Sequence, residues 1–424
     1  MNIKFRLTLL NFLEFAVWGA YLTSMGGYLA RVGLGSSIGY FYSVQGFVSL
    51  VMPALAGIVA DRWIQAQRVL SLCHLVAGVS MIAASVYGMC MGSEVSFPVL
   101  FGLYSLSVAF FMPTIALVNS VSYNALDMAR LDSVKVFPPI RVFGTVGFIV
   151  SMWVVDLSGW QTEPLQFMWS GALSVLMALY ALTMPACPVC RKAEPSGLVQ
   201  MLGLEAFRLF RIKRMALFFI FSMLLGCCLQ VTNGYAGPFL QSFGVQEVYK
   251  GTFGVEHANI LISLSQMSET LCILLIPFCL GRFGIKKVML MSMIAWFLRF
   301  GLFAVGNPGG GVWLLVLSMI VYGIAFDFFN ISGSLFVDME TEQDIRSSAQ
   351  GLFMMMTNGF GSSIGMLVAG WVMNIYTVNV DGLMIDKPGT GGWSSAWTAF
   401  ALYALVVAAL FAVMFRYKHQ RVNK

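Results

Sequence analysis

The sequence predicts an all-α polytopic membrane protein with twelve transmembrane helices in two six-helix halves. Scarcity of charge, a series of long apolar runs and an alternation of basic with non-basic loops predict it. Of the 424 residues 58% are hydrophobic and only 10% charged, and the mean hydropathy is +0.81. Soluble domains carry about a quarter charged residues. So few charges do not cover a soluble surface, whereas lipid accepts an apolar one. A spanning helix needs about 20 mostly apolar residues, so the chain has room for about a dozen.

The runs fall at 6–30, 37–60, 69–91, 97–124, 138–157, 165–184, 214–241, 257–280, 287–306, 311–337, 346–376 and 394–416, here spans one to twelve. The interruptions are polar, basic or rich in Gly and Pro, as loops are. Runs longer than 25 residues fit tilted helices. The N-terminus lacks a small-residue cleavage site and reads as a first membrane helix, not a removed signal.

Lys and Arg set the topology. Lys4 and Arg6 precede span one, Arg62 and Arg68 follow span two, and Arg130 and Lys135 follow span four. Arg191, Lys192, Arg208, Arg211, Lys213 and Arg214 follow span six, Arg282, Lys286 and Lys287 follow span eight, and Arg346 follows span ten. Arg416, Lys418, Arg421 and Lys424 lie in the tail, whereas the alternate loops hold Arg31, Lys250 and Lys387. The positive-inside rule then puts both termini in the cytoplasm. It also accounts for the net charge of +6 without a nucleic-acid partner. The longest basic interruption divides the chain into 1–184, a linker 185–213 and 214–424. Within the linker, Leu202 through Phe210 is amphipathic and reads either as a helix at the membrane surface or as a plain solvated link.

An internal repeat crosses that divide. Gly57-Ile-Val-Ala-Asp61-Arg62 with Arg68 follows span two, and Gly281-Arg282-Phe-Gly284-Ile-Lys286-Lys287 follows span eight. Gly57, Asp61 and Arg62 resemble the signature loop of the major facilitator superfamily, although its second glycine and adjoining basic pair are missing. Asp61 then either accepts from a neighbouring helix N-terminus as a cytoplasmic latch or belongs to an ordinary anchoring loop.

Charged groups inside the membrane cost roughly 2.5–3.5 kcal/mol on insertion scales, so each demands a partner or a task. Glu14, Arg141, Glu269, Arg299 and Asp327 are such groups. On span five, Arg141, Thr145 and Phe148 share one face, after Pro138-Pro139 at the expected helix start. Arg141 either faces the solute path or snorkels to the cytoplasmic surface. Span seven offers Gln230 and Asn233, carboxamides that read donors and acceptors or join helices. Span eight offers Gln266 and Glu269. Span ten carries Tyr322, Phe326 and Asn330 on one face with Asp327 beside it. Rings next to hydrogen-bonding groups suit a flat heterocycle or a sugar, and single rings also simply pack a bundle. Thr357-Asn358-Gly359-Phe360-Gly361 permits close approach or bending of span eleven.

Arg299 is expected to pair with a carboxylate. Glu14, near Trp18 and Tyr21, is a candidate to line the solute path. His74 reads equally as a packed donor and as a proton carrier. The eight cysteines lie mostly in apolar runs, where Cys behaves as a small hydrophobe. Cys187-Pro-Val-Cys190 has no evident second pair or His partner for a metal.

Longer strings resemble the bacterial nucleoside–proton symporters of the major facilitator superfamily. They are Phe137-Pro-Pro-Ile-Arg141-Val-Phe-Gly-Thr145-Val-Gly-Phe148, Phe218-Phe-Ile-Phe-Ser-Met-Leu-Leu-Gly226, Ser265-Gln-Met-Ser-Glu269-Thr, Ser318 through Gly333 and Ala349 through Gly361. Cys227-Cys228-Leu-Gln230-Val-Thr-Asn233-Gly departs from them in its small, glycine-rich continuation.

The resemblance implies a twelve-helix fold with one central cavity, and nucleoside uptake driven by protons. It implies that Arg141, Thr145, Phe148, Gln230, Asn233, Gln266, Glu269, Tyr322 and Phe326 hold the nucleoside. Asp327 and Glu269 are then the candidate proton carriers. It calls for no cofactor, no metal and no enzymatic step, and for a bacterial inner-membrane protein working as a monomer in the lipid bilayer. The nearest rival is a proton-coupled transporter of another polar solute such as a sugar. A membrane enzyme needs a catalytic constellation; no His-Glu-x-x-His string occurs, and the chain has three histidines. A ligand sensor without transport fits the same pocket residues.

Overall fold

The computed structural model describes residues 2–188, 204–342 and 345–417, without the side chains of Asp61, Val134, Leu204, Glu205 and Ser347. Among these residues nine helices are long and apolar enough to cross a bilayer, and a tenth forms if Ala258–Ile273 and Ile276–Phe283, bent by 55°, count as one span. The other two expected spans are also helical. Span six is the 17-residue apolar helix Leu165–Ala181. Span one is divided into Ile3–Gly19 and Met25–Arg31. Lipid offers no hydrogen bonds, so each backbone group in a span must bond internally. At the break in span one Tyr42 donates its hydroxyl to the Leu22 carbonyl, and the Ser24 hydroxyl ties the segment to span six by donating to Gln166 Oε1 at 2.8 Å.

The chain resolves into two compact units. One comprises Met1–Leu202, Asn233–Pro238 and Asn379–Leu383; the other comprises Gly203–Thr232, Phe239–Val378 and Met384–Lys424. In the first, Ile38–Arg62, Ala66–Met91, Ser133–Leu157 and Leu165–Ala181 are continuous helices, while span four joins Phe97–Phe111 to Thr114–Met128. Spans three and six approach closely at Gly78 and Gly171, each lying against the other's carbonyl. Span five meets span one through Gly144, against the Phe15 ring, and Gly147, against the Phe12 carbonyl.

Span five begins earlier than expected. Its helix is Ser133–Leu157, with Pro138 and Pro139 inside it. Proline removes only its own donor and obstructs the preceding turn. Here that turn closes through the N–H of Val136, which donates to the Asp132 carbonyl at 2.9 Å.

In the second unit, span seven breaks between Lys213–Gly226 and Val231–Ser242. The carbonyl of Thr357 lies against Gly226, the Met223 carbonyl against Gly361, and the Cys227 backbone against Gly365. The glycines of span eleven therefore bring it onto the break, and span eleven itself widens into a π-helical turn at Met355–Gly361. Ile285–Val305, Val312–Glu340 and Gly392–Met414 are spans nine, ten and twelve.

Two elements depart from the sequence reading. The strands Thr377–Val380 and Leu383–Asp386 form a hairpin, with positive φ at Asp381 and Gly382, as a two-residue primed turn requires. The amphipathic linker segment is a 3₁₀ helix, Leu204–Arg211, with Ala206 and Leu209 buried and the Phe210 ring 5.5 Å from Phe219. Ala206, Leu209 and Phe210 thus pack on the protein, while Phe207 stays exposed. The linker's residues 189–203 and the tail's 418–424, including Cys190, lie outside the described residues.

Candidate functional site

The first unit supplies the span-five stripe. The Arg141 guanidinium carbon sits 3.9 Å from the centroid of the Phe15 ring. Phe148, only 6% exposed, meets Trp18 edge-on at 6.3 Å, and the Phe148 backbone lies against Gly19. Arg141 and Thr145 are half-buried. The stripe is therefore positioned by span one, whose aromatic residues carry the cation and the ring of span five. Asn233, also half-buried, groups with this unit, in the first turn of Val231–Ser242.

Glu14, a candidate to line the solute path, is enclosed within the first unit. Both Glu14 and His74 have fully buried side chains, with His74 Nε2 at 2.8 Å from Glu14 Oε2. Thr114 Oγ1 lies 2.6 Å from Glu14 Oε1, and Ser174 Oγ lies 3.0 Å from His74 Nδ1. The polar cluster ties spans one, three, four and six together. Sequence reasoning named both residues but did not pair them, because nothing in sixty residues of separation signals the contact.

The second unit supplies the ring cluster. Tyr322, 4% exposed, stacks on Phe326 at 5.7 Å with planes 20° apart, and Trp296 meets it edge-on at 5.9 Å. Gln266, Glu269 and Phe326 are half-buried. Glu269 is close enough to act electrostatically on both Tyr322 and Asp327. Asp327 is 5% exposed, and its Oδ2 has no hydrogen-bond partner among the described residues. One turn before it, Gly323 lets span ten approach the Ser268 carbonyl and Cys272 of span eight. Gln230 stands at the break of span seven as the N-cap of its second helix, half-buried.

Arg299 corrects the expected ion pair. It is 2% exposed, and its partners are hydroxyls and carbonyls. Its Nη1 donates to the Ser318 carbonyl at 3.0 Å and to Ser265 Oγ at 3.3 Å, and its Nη2 donates to Thr232 Oγ1 at 3.0 Å. Its guanidinium carbon lies 4.4 Å from the Tyr322 ring centroid. A guanidinium stacks on aromatic faces as readily as it forks onto a carboxylate, which is why a sequence search for its acid fails.

At the loop after span two, Ile38–Arg62 ends at Arg62, Gly57 faces open space and Arg68 is exposed. The latch assigned to Asp61 falls on a side chain outside the described residues. After span eight, Gly284 takes a φ of +77° between two helices, and Lys286 Nζ donates to the Ala412 carbonyl at 2.9 Å.

The profile of one family, described as nucleoside H+ symporter, matches residues 1–420. The nucleoside permease NupG of Escherichia coli is 48% identical, covering 100% of this chain and 98% of its own. The xanthosine permease of the same organism is 47% identical, over 99% and 97%. A crystal structure of the nucleoside transporter NupG superposes with a TM-score of 0.89 at 46% identity, covering 99% of this chain and all of that one. A crystal structure of a D-xylose-proton symporter shares the fold at a TM-score of 0.71 and 13% identity, covering 98% of each. This all-α polytopic membrane protein belongs to the nucleoside–H+ symporter family.

Proposed function

We propose that the protein imports nucleosides together with protons across the bacterial inner membrane by alternating access. The observation that carries this reading is the stacked pair Tyr322 and Phe326 beside Gln266, Glu269 and a buried Asp327, in a chain of this family. Stacked rings take the flat base, and carboxamides and carboxylates take ribose hydroxyls. In this reading Phe148, Tyr322 and Phe326 contact the base. Arg141, Thr145, Gln230, Asn233, Gln266 and Glu269 supply polar contacts.

The proton rides on Glu269 or Asp327. A carboxylate carried charged through an apolar interior costs several kcal/mol, so the protonated, loaded carrier reorients more easily than the charged one. Each proton crossing a membrane potential releases about 2.3 kcal/mol per 100 mV, which drives accumulation of a neutral solute. In this reading the bundles are 1–184 and 214–424, the working unit is the monomer, and both termini are cytoplasmic, which the distribution of basic loops supports. Gly57, Asp61, Arg62 and Arg68 form the cytoplasmic gating loop.

The test is uptake into proteoliposomes with an imposed inward proton gradient, against a panel of nucleosides, free bases and sugars. Uridine accumulates above equilibrium and the accumulation collapses with a protonophore. Competition by sugars but not by nucleosides overturns the reading.

A further inference from the structure

We propose that Glu14 and His74 form a proton-binding site inside the first unit, apart from the carboxylates of spans eight and ten, whose proton fixes the rotation of span one. Counting hydrogens at the cluster carries the argument. Ser174 has one hydroxyl hydrogen, and its Oγ lies 2.8 Å from the carbonyl of His74, which only accepts. The Oγ that faces His74 Nδ1 at 3.0 Å therefore accepts, and Nδ1 carries a hydrogen. The 2.8 Å contact between Nε2 and Glu14 Oε2 needs a second one. Whether it sits on the imidazole or on the carboxyl, one proton lies between the two atoms and the pair is neutral.

Removal of that proton leaves two acceptors facing each other. The Nε2 lone pair would meet a carboxylate with no cation among its partners: among the described residues Glu14 bonds to His74 and to Thr114, whose single hydroxyl hydrogen is shared between Glu14 Oε1 and the Phe111 carbonyl, each at 2.6 Å. Isolated buried charge is strongly disfavoured, so an unprotonated pair drives spans one and three apart. Other ionisable groups near the pair do not replace the proton. Cys73, beside His74, is in electrostatic reach of Glu14, but bonds to neither. Arg141 of span five lies over Phe15. Tyr21 and Tyr104 pack edge to face two turns away. Spans four and six meet the pair with Thr114, the Phe111 ring and Ser174.

The site connects to solute binding through span one. Phe15, which carries Arg141, follows Glu14 in the helix, and Trp18 lies one turn on. Trp18 touches Phe148 at 6.3 Å and Phe111 at 6.1 Å, and Phe111 meets the His74 ring at 6.0 Å. Gly144 and Gly147 press span five onto Phe15 and Phe12, so a roll of span one displaces Arg141 and Phe148. This consequence rests on the reading of those two residues as nucleoside ligands; the proton site itself does not.

The experiment uses the full-length protein in proteoliposomes. Infrared difference spectra between acid and alkaline pH are recorded for wild type, Glu14→Gln and His74→Gln, alongside uridine counterflow across the same range. Glutamine at position 14 donates an amide hydrogen to Nε2 and still accepts from Thr114, so it imitates the protonated pair permanently. Wild type is expected to show a titrating carboxyl and imidazole signal that both variants lose. Its uridine affinity falls several-fold at alkaline pH, where Glu14→Gln stays flat. Spectra and pH profiles of Glu14→Gln matching wild type overturn the proposal. If Glu14→Gln does not fold, an unchanged spectrum in His74→Gln overturns it equally. The infrared arm needs no nucleoside, so a wild type without counterflow refutes the transport reading and leaves the proton site separately decided.

Discussion

Arg299 and Tyr322 stack cation on ring, with the guanidinium carbon 4.4 Å from the ring centroid and both side chains buried. The same guanidinium holds Thr232, two residues after Gln230, at 3.0 Å. One side chain of span nine thereby sets the Tyr322 ring in span ten and the start of span seven's second helix. A desolvated cation–π contact is worth about 2 kcal/mol, and hydrogen bonds to a charged group about 1.5–3 kcal/mol each.

Arg299→Met should lower nucleoside affinity about tenfold or more, since 1.4 kcal/mol is a factor of ten. Arg299→Lys keeps the charge and loses the fork, so it should recover part of the loss. Equilibrium binding of uridine measures both. In a Tyr322→Ala background the effect of Arg299→Met should shrink; full additivity would show that Arg299 does not act through the ring.

Phe15 makes a parallel prediction in the first unit. Its ring lies 3.9 Å from the Arg141 guanidinium carbon, and a Leu there keeps the apolar contact without the quadrupole. With roughly 1 kcal/mol at stake, Phe15→Leu should weaken uridine binding about fivefold, and Phe15→Tyr should leave it near wild type. Isothermal titration of the purified protein reads both.

Gly365 tests the packing of span eleven on the break of span seven. A Cβ at Gly365 would collide with the backbone of Cys227, whereas one at Gly351 meets open space. Overpacking of this kind costs typically 1–3 kcal/mol. Gly365→Ala should lower the melting temperature of the purified protein, and Gly351→Ala should not. Equal melting of the two variants would show that the glycine is not needed for the approach.

These residues show where the fold was legible and where it was not. Every expected span is helical because lipid requires long apolar segments with internally bonded backbones. Charged residues within them stood out because their insertion cost demands a reason. Partners were not legible. The acid expected for Arg299 is a ring and two hydroxyls, and Glu14 turned inward to His74, because a contact between helices depends on their rotation. The start of span five was misplaced because the proline rule is local, and the turn before Pro138 closes without its donor. The hairpin carried a readable signal in Asp381-Gly382, which the apolar runs around it obscured.

Asp327 and Glu269 divide the coupling question. Asp327 is nearly buried with Oδ2 unpartnered among the described residues, while Glu269 is half-buried near the Tyr322 ring. A partly open carboxylate beside a ring suits contact with solute hydroxyls; an enclosed one suits a proton that neutralises it. Asp327→Asn keeps the shape and removes the ionisation. It should abolish gradient-driven accumulation while leaving uridine exchange between equal solutions within a few-fold of wild type. Glu269→Gln loses a charged acceptor worth about 1.5–3 kcal/mol to a bound hydroxyl, so its uridine affinity should fall at least tenfold. Paired accumulation and counterflow assays on the two variants separate the roles. Full accumulation by Asp327→Asn with the proton gradient intact would move the coupling role away from span ten.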